Sequence, residues 1–300
     1  MSELSSDEVL HQGTLTEARL YTGEADLEIH SFDTPLGSLA IAIAACAEKS
    51  GANEDSAALI PIDGDCLILA VADGVGGAPA ARKAANTAVE TLRESLRDVE
   101  DEDARVRTTV LDGIELANNR LLDAGTGSAT TLVVADIRDQ QVRTYHVGDS
   151  AAWLVGQRGV IKMQTTPHSP VGFAVESGLI DEAEAMDHDE LHVISNVLGS
   201  SDMRIEIGSR QPIAARDTLL LASDGLFDNV LQDEITEIMR KGPVSDAARA
   251  LWILARSRMD GHDTDKPSKP DDFSAILFRP KTAKKTAKQT SEKSAKPASG

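Results

Sequence analysis

Four short acidic segments stand far apart in the chain, at 53–55 (NED), 73–77 (DGVGG), 223–228 (SDGLFD) and 271–274 (DDFS), mostly where an apolar run ends. A folded domain can gather such segments only if something compensates their charge, because each desolvated carboxylate is costly unless a cation or a hydrogen-bond donor faces it. Hard divalent cations are the simplest compensator, since they take all-oxygen ligand sets. The fold must therefore carry several apolar strands that finish at one place.

The apolar runs have the length such strands need. Residues 38–47 (SLAIAIAACA) and 65–72 (DCLILAVA) read as buried strands, bounded by charge or turn residues. Helical spacing of Ala, Val and Leu over 79–97, and again over 106–122, predicts two long helices after the second strand. Residues 129–137 and 142–146 predict a strand pair around a polar turn, and 151–155 with 160–163 a second, read together as one antiparallel meander. Strand character returns at 204–207 and 218–222, helices at 233–240 and 244–259, and a closing strand at 273–278. Strands in consecutive runs with helices in pairs fit an α+β sandwich better than an alternating parallel α/β fold. The expected organisation is a weakly ordered segment over 1–25, one domain over 26–280, and a Lys-rich tail over 281–300 that lacks the apolar surface to order itself.

Composition narrows the function classes. With 41% hydrophobic residues but only 3% aromatics, the core must rest on Val, Ile, Leu and Ala. The last twenty residues hold six Lys and one Glu, which leaves the rest with 24 Lys and Arg against 48 Asp and Glu, a net of -24. Such a body repels nucleic acid and anionic membranes and attracts cations. Cys46 and Cys66 lie in apolar runs without metal-ligand spacing and read as reduced core thiols. The first residues, MSELSSDEVLHQ, lack the apolar stretch of a signal peptide, and no apolar run reaches the roughly 18–20 residues of a membrane span. A cytoplasmic, monomeric protein is expected.

Asp73 is central among the carboxylates, because it ends an apolar run and precedes Gly74, Gly76 and Gly77. Asp224 repeats the arrangement, and Asp55 and Asp271 flank two further strand candidates. A single Asp-Gly pair is ordinary turn chemistry. If the four strand ends meet, however, they form an all-oxygen site without His or Cys, which selects Mg²⁺ or Mn²⁺ over zinc.

In order, NEDS (53–56), ADGVGG (72–77), GSATTLVVA (127–135), HVGDS (146–150), ASDGLFDNV (222–230) and DDFSAIL (271–277) resemble the metal-dependent protein serine/threonine phosphatases of the PPM or PP2C type, in their bacterial form. The resemblance implies a four-layer αββα sandwich, two central, mostly antiparallel sheets flanked by helix pairs, with a binuclear Mn²⁺/Mg²⁺ centre at one edge. It implies that Asp73 bridges both ions with the Gly74 carbonyl on the first, that Asp224 and Asp271 bind the second, and that Glu54 and Asp55 complete the centre directly or through water. Asp149 and Asp228 match residues that hold a weaker third cation in similar enzymes, and Asp272 sits behind the centre. The implied reaction is hydrolysis of phosphoserine or phosphothreonine in a protein by a water activated between the ions.

Two positions depart from the family pattern. Where the family has an Arg that clamps the substrate phosphate, this chain has Ser50, with Lys49 beside it as the candidate cation, a point charge rather than a fork. Where many eukaryotic relatives have a His after the Asp-Gly pair, this chain has Val75, which leaves water to protonate the leaving group. Ser50 also keeps open a second reading, a phosphoprotein-binding module without catalysis on the same fold. Residues 165–200 match the variable flap beside the active site and read equally as a lid or a surface excursion. His146, His168, His188, His192 and His262 read as structural or surface residues.

Overall fold

In the run SLAIAIAACA small and large residues alternate, and the alternation sorts them onto two buried faces. The structure, a computed structural model, describes residues 10–23, 27–49, 52–76, 78, 80–100, 102–186, 188–262 and 266–281. Strands β1 (Leu10–Thr14), β2 (Arg19–Tyr21), β3 (Leu27–Asp33), β4 (Gly37–Ala44), β5 (Asp55–Ile62) and β6 (Cys66–Asp73) lead into helices α1 (Ala81–Ser95) and α2 (Asp103–Ala124). Strands β7 (Leu132–Arg138), β8 (Gln141–Val147), β9 (Ala151–Val155) and β10 (Ile161–Gln164) precede the short helices α3 (Pro170–Glu176) and α4 (Glu182–Met186). The chain ends with β11 (Glu206–Ile207), β12 (Gln211–Pro212), β13 (Thr218–Ala222), α5 (Asp224–Phe227), α6 (Gln232–Met239), α7 (Val244–Met259) and β14 (Phe273–Pro280).

One sheet has the order β1-β3-β4-β14-β13-β9-β10, the other β11-β8-β7-β6-β5-β2 with β12 also on β8. All pairs are antiparallel except β1 with β3. On β4, Leu39, Ile41 and Ile43 point toward the second sheet, where they meet Leu67, Leu69 and Val71 of β6, and Leu219 and Leu221 of β13, in their own sheet, line the same core. Ala40, Ala42 and Ala44 face the other way, under Leu251, Trp252 and Ala255 of α7. On β6, Ile68, Ala70 and Ala72 pack beneath Ala84, Ala88 and Leu92 of α1 and Ile114 of α2. Three cores thus separate four layers. Alanines on the outer faces let the helices approach, and branched residues fill the inner one.

Two expectations need correction. Residues 10–21 are not weakly ordered: β1 pairs with β3 and β2 with β5. Edge strands are held largely by backbone hydrogen bonds, so a segment that buries little beyond Leu15 and Tyr21 carries no apolar period to read. Residues 1–9, 24–26 and the tail from 282 onward lie outside the described residues. The expected meander is also two hairpins in different sheets, β7–β8 in one and β9–β10 in the other. The chain changes sheets at Gly148, whose φ of +103° is a region that L side chains rarely adopt, and a Cβ there would lie 2.7 Å from Thr131. No helix among the described residues is long and apolar enough to cross a membrane.

The crossover sets the position of Asp149, so strain there has a measurable cost. Gly148→Ala is expected to lower stability by about 1–3 kcal/mol, read as a shift in the urea midpoint at unchanged slope. A midpoint equal to wild type would show that the turn tolerates a side chain.

Candidate metal centre

Register alone brings the acidic segments to one edge. Asp55 opens β5 and Asp73 closes β6, directly opposite each other in the antiparallel ladder. In the other sheet Ala44 at the end of β4 pairs with Phe273 at the start of β14, and Ala222 at the end of β13 pairs with Ala275 and with Ala151 at the start of β9. Asp271, Asp224 and Asp149 therefore sit where those strands begin or end, at that same edge. Three contacts tie the two sheet edges together. Ser223 Oγ donates to Asp55 Oδ2 at 2.8 Å, the Glu54 N–H donates to Asp272 Oδ2 at 2.9 Å, and the Thr131 and Ser150 hydroxyls lie 2.7 Å apart.

Local backbone geometry fixes each carboxylate. The Asp73 carbonyl accepts from Thr131 N–H and Thr130 Oγ1, both at 2.8 Å, and the Gly74 N–H donates to Glu54 O at 3.2 Å. Asp224 opens α5 behind Ser223, and Gly225 packs so tightly that a Cβ would lie 1.9 Å from Asp272 O. Asp272 faces away from the cluster's centre, with Oδ1 accepting the Cys46 N–H at 2.8 Å and Oδ2 accepting from Glu54. It staples the loops after β4 and before β5 to the start of β14, which fits the expectation that it supports rather than forms the centre.

The electrostatics are those of like charges forced together. Burial, followed by Asp55, Asp224, Asp271 and Asp149, pushes the Asp73 carboxyl well above the ordinary carboxylate range. Burial and Asp272 raise Asp55, against the Ser223 hydroxyl. Asp149, Asp228 and Asp271 are each raised by burial and by Asp224. Asp224 goes the other way: burial pushes it up, but the Lys269 ammonium outweighs this and holds it low.

Three buried carboxylate oxygens, Asp55 Oδ1, Asp149 Oδ1 and Asp224 Oδ1, accept no hydrogen bond. Native proteins rarely leave such atoms unpaired. An all-oxygen cluster with spare acceptors fits a hard divalent cation and offers nothing that zinc or copper would prefer.

The structure brings Asp55, Asp73, Gly74, Asp149, Asp224, Asp228 and Asp271 to one place, with Glu54 at the rim. Lys49 sits beside them: its Nζ is paired with Asp271 and lies 3.6 Å from Glu54 Oε2 and 3.5 Å from Asp272 Oδ2. Ser50 lies outside the described residues. Sequence reasoning missed Lys269, whose Nζ bridges Asp224 Oδ2 at 2.7 Å and Asp228 Oδ2 at 2.6 Å. Its sequence signal was slight, one of two lysines in the polar stretch 266–270 that precedes Asp271.

A cavity of about 440 Å³ opens beside the carboxylates. Asp149, Asp224 and Asp228 line one part of it, Trp153 and Phe227 another, and Val171, Val175 and Met186 of α3 and α4 also face it. The 165–200 segment therefore borders the site. Ser169 caps α3 by accepting the Gly172 N–H at 2.9 Å, with Pro170 at the first helical position.

His146, His168 and Glu206 form the one group of three His, Cys, Asp or Glu among the described residues whose ligand atoms all lie within 4.8 Å of one another. The two rings stack at 4.4 Å, so they cannot both aim an in-plane lone pair at one ion. His168 Nδ1 accepts the Gly148 N–H at 3.1 Å, and His146 Nε2 lies 2.9 Å from Thr166 O. The pair anchors the start of the flap to the crossover.

Known proteins share this fold. A family model described as protein phosphatase 2C matches residues 44–252. The serine/threonine phosphatase Stp of Listeria monocytogenes is 29% identical over 221 residues, which is 70% of this chain and 86% of that protein. The crystal structure of a bacterial serine phosphatase superposes with a TM-score of 0.71 at 26% identity, over 82% of this chain and 98% of the other. The catalytic domain of the phosphatase PstP in complex with two manganese ions has the same fold, with a TM-score of 0.64 at 24% identity over 81% of this chain and 97% of its own. The family match takes in three of the four acidic segments, and the chain belongs to the protein phosphatase 2C family.

Proposed function

We infer that this protein is a metal-dependent protein phosphatase that hydrolyses phosphoserine and phosphothreonine, with two Mn²⁺ or Mg²⁺ ions at the edge where Asp73, Asp224 and Asp271 meet. The observation that carries this reading is the set of unpartnered carboxylate oxygens around the half-buried Asp73. Asp73 and the Gly74 carbonyl would hold the first ion with Glu54 and Asp55, while Asp73, Asp224 and Asp271 would hold the second. Bound there, divalent ions would supply a nucleophilic water at neutral pH and neutralise charge on the phosphoryl oxygens.

The chain's own residues do the rest. Ser223 and Asp272 keep the carboxylates oriented, Ser223 through Asp55 and Asp272 through the backbone of Glu54. Lys49, paired with Asp271 at the rim of the centre, would meet the substrate phosphate as a point charge. Val75 leaves no side-chain acid beside the reacting phosphoryl group, so water protonates the leaving oxygen. The apolar walls formed by Trp153, Phe227 and Val175 suit a side chain flanking the phosphorylated residue, and α3 and α4 act as a lid on it. Charge repulsion supports the absence of nucleic-acid and membrane partners, and the two buried free thiols, Cys46 and Cys66, fit a reducing compartment such as the cytoplasm.

Asp73→Asn is expected to lower Mn²⁺-dependent release of phosphate from a phosphothreonine peptide by more than about 100-fold. Removing one charge from a repelling set should also raise the melting temperature of the metal-free protein and shrink the further rise that Mn²⁺ produces. Wild-type protein that binds Mn²⁺ yet releases no phosphate from the peptide would refute the enzymatic reading.

The lid has its own test. Val175→Asp should raise KM for the phosphopeptide while leaving hydrolysis of p-nitrophenyl phosphate, which does not reach the apolar walls, close to wild type. Equal losses on both substrates would remove the lid from substrate selection.

A further inference from the structure

Lys269 precedes the closing strand in a polar stretch, yet its position is closely determined. Buried Asn229 donates from Nδ2 to Lys269 O at 2.9 Å and accepts the Lys269 N–H on Oδ1 at 2.7 Å. The same Nδ2 donates to Gly225 O at 3.0 Å. These bonds fix the Lys269 backbone to the turn that carries Asp224 and Asp228, and Pro270 restricts the lysine's own backbone from the other side. The side chain then has a short path to its two carboxylates, 2.7 Å from Asp224 Oδ2 and 2.6 Å from Asp228 Oδ2.

Those contacts divide Asp224 between two tasks. Oδ2 accepts from Lys269, and Oδ1 is left without a partner for an ion. Asp228 accepts from the lysine as well, and the ammonium is the leading opposing charge on Asp149, which burial and Asp224 otherwise push up. Burial alone would lower the Lys269 ammonium, but Asp224 and Asp228 outweigh it and raise it above the ordinary lysine range. One fixed positive charge therefore faces all three carboxylates that border the cavity.

We propose that Lys269 is a built-in cation: its ammonium takes the place that a third divalent ion would hold between Asp149 and Asp228, and the protein binds no third ion. An entering ion would have to expel a lysine that is already tethered and paired, or sit a few ångströms from its charge. A hydrated divalent ion held by two carboxylates binds weakly, so either demand is enough to exclude it. The tethered ammonium loses little further freedom in staying, because Asn229 has already ordered its backbone. Asp228 and Asp149 then serve to hold and share a fixed charge beside the reacting groups. The inference rests on the two-ion reading above, and the two are separable.

Equilibrium dialysis of the full chain against Mn²⁺, with bound metal counted by plasma mass spectrometry, tests it without an activity assay. Lys269→Met keeps the length of the side chain and removes the charge. The variant should bind one ion per chain more than wild type, with an affinity of roughly 10⁻³ M, and Lys269→Met combined with Asp149→Ala should lose that ion again. Equal counts in wild type and Lys269→Met would overturn the proposal. Asp149→Asn in the wild-type background supplies a second reading that needs no lysine variant: an unchanged count supports the built-in cation, and loss of one ion overturns it. The wild-type count itself tests the two-ion centre, whereas only the differences between proteins test Lys269.

Discussion

Repulsion among converging carboxylates is the constraint that the structure is built around. Two unit charges 4 Å apart interact by about 4 kcal/mol at an effective dielectric of 20. A domain's whole stability is only about 5–15 kcal/mol. Asp55, Asp73, Asp149, Asp224 and Asp271 could not share one buried edge unless each pair were offset. The offsets are visible as Ser223 on Asp55, Lys49 on Asp271 and Lys269 on Asp224 and Asp228. What they leave uncompensated, Asp73 and three spare oxygens, is the part that calls for ions.

Such an edge needs a frame that does not relax. The carboxylates are attached to the ends of strands whose other residues are buried on both faces, Leu39, Ile41 and Ile43 inward and Ala40, Ala42 and Ala44 outward on β4 alone. A strand packed on both sides cannot shift by one residue without exchanging its large face for its small one. Register is thereby fixed by packing far from the site, and with it the opposition of Asp55 and Asp73. The cost of holding the charges together is met by three cores rather than by contacts within the centre.

The same logic explains what the sequence displays and what it hides. Central strands announce themselves because both faces are apolar, and their acidic ends are conspicuous against them, so the site's main carboxylates and the sandwich were legible. Edge strands β1 and β2 bury little, and their pairing is written in backbone hydrogen bonds that no side-chain pattern records. The sheet change at Gly148 hides for a related reason: two hairpins separated by three residues look alike whether they lie in one sheet or two. Lys269 went unread because a lysine in a polar loop is ordinary until Asn229, 40 residues earlier, is seen to hold its backbone.

Charge also decides how an acidic protein can admit an anionic substrate. Among the described residues, Lys49 and Lys269 pair with Glu54, Asp224, Asp228, Asp271 and Asp272, while Asp55, Asp73 and Asp149 add three further carboxylates, so a metal-free centre repels a phosphate ester, with the body's net charge adding to the barrier. The two divalent ions inferred above would contribute four positive charges against an excess of six negative ones where the phosphoryl group must sit. Ion loading would then be a condition for substrate entry as well as for chemistry. The two lysines matter for the same reason: they supply positive charge that dilution cannot remove. Around this small, partly neutralised patch the surface stays acidic, which favours substrates whose flanking residues are basic, and leaves the apolar walls under α3 and α4 to choose among them.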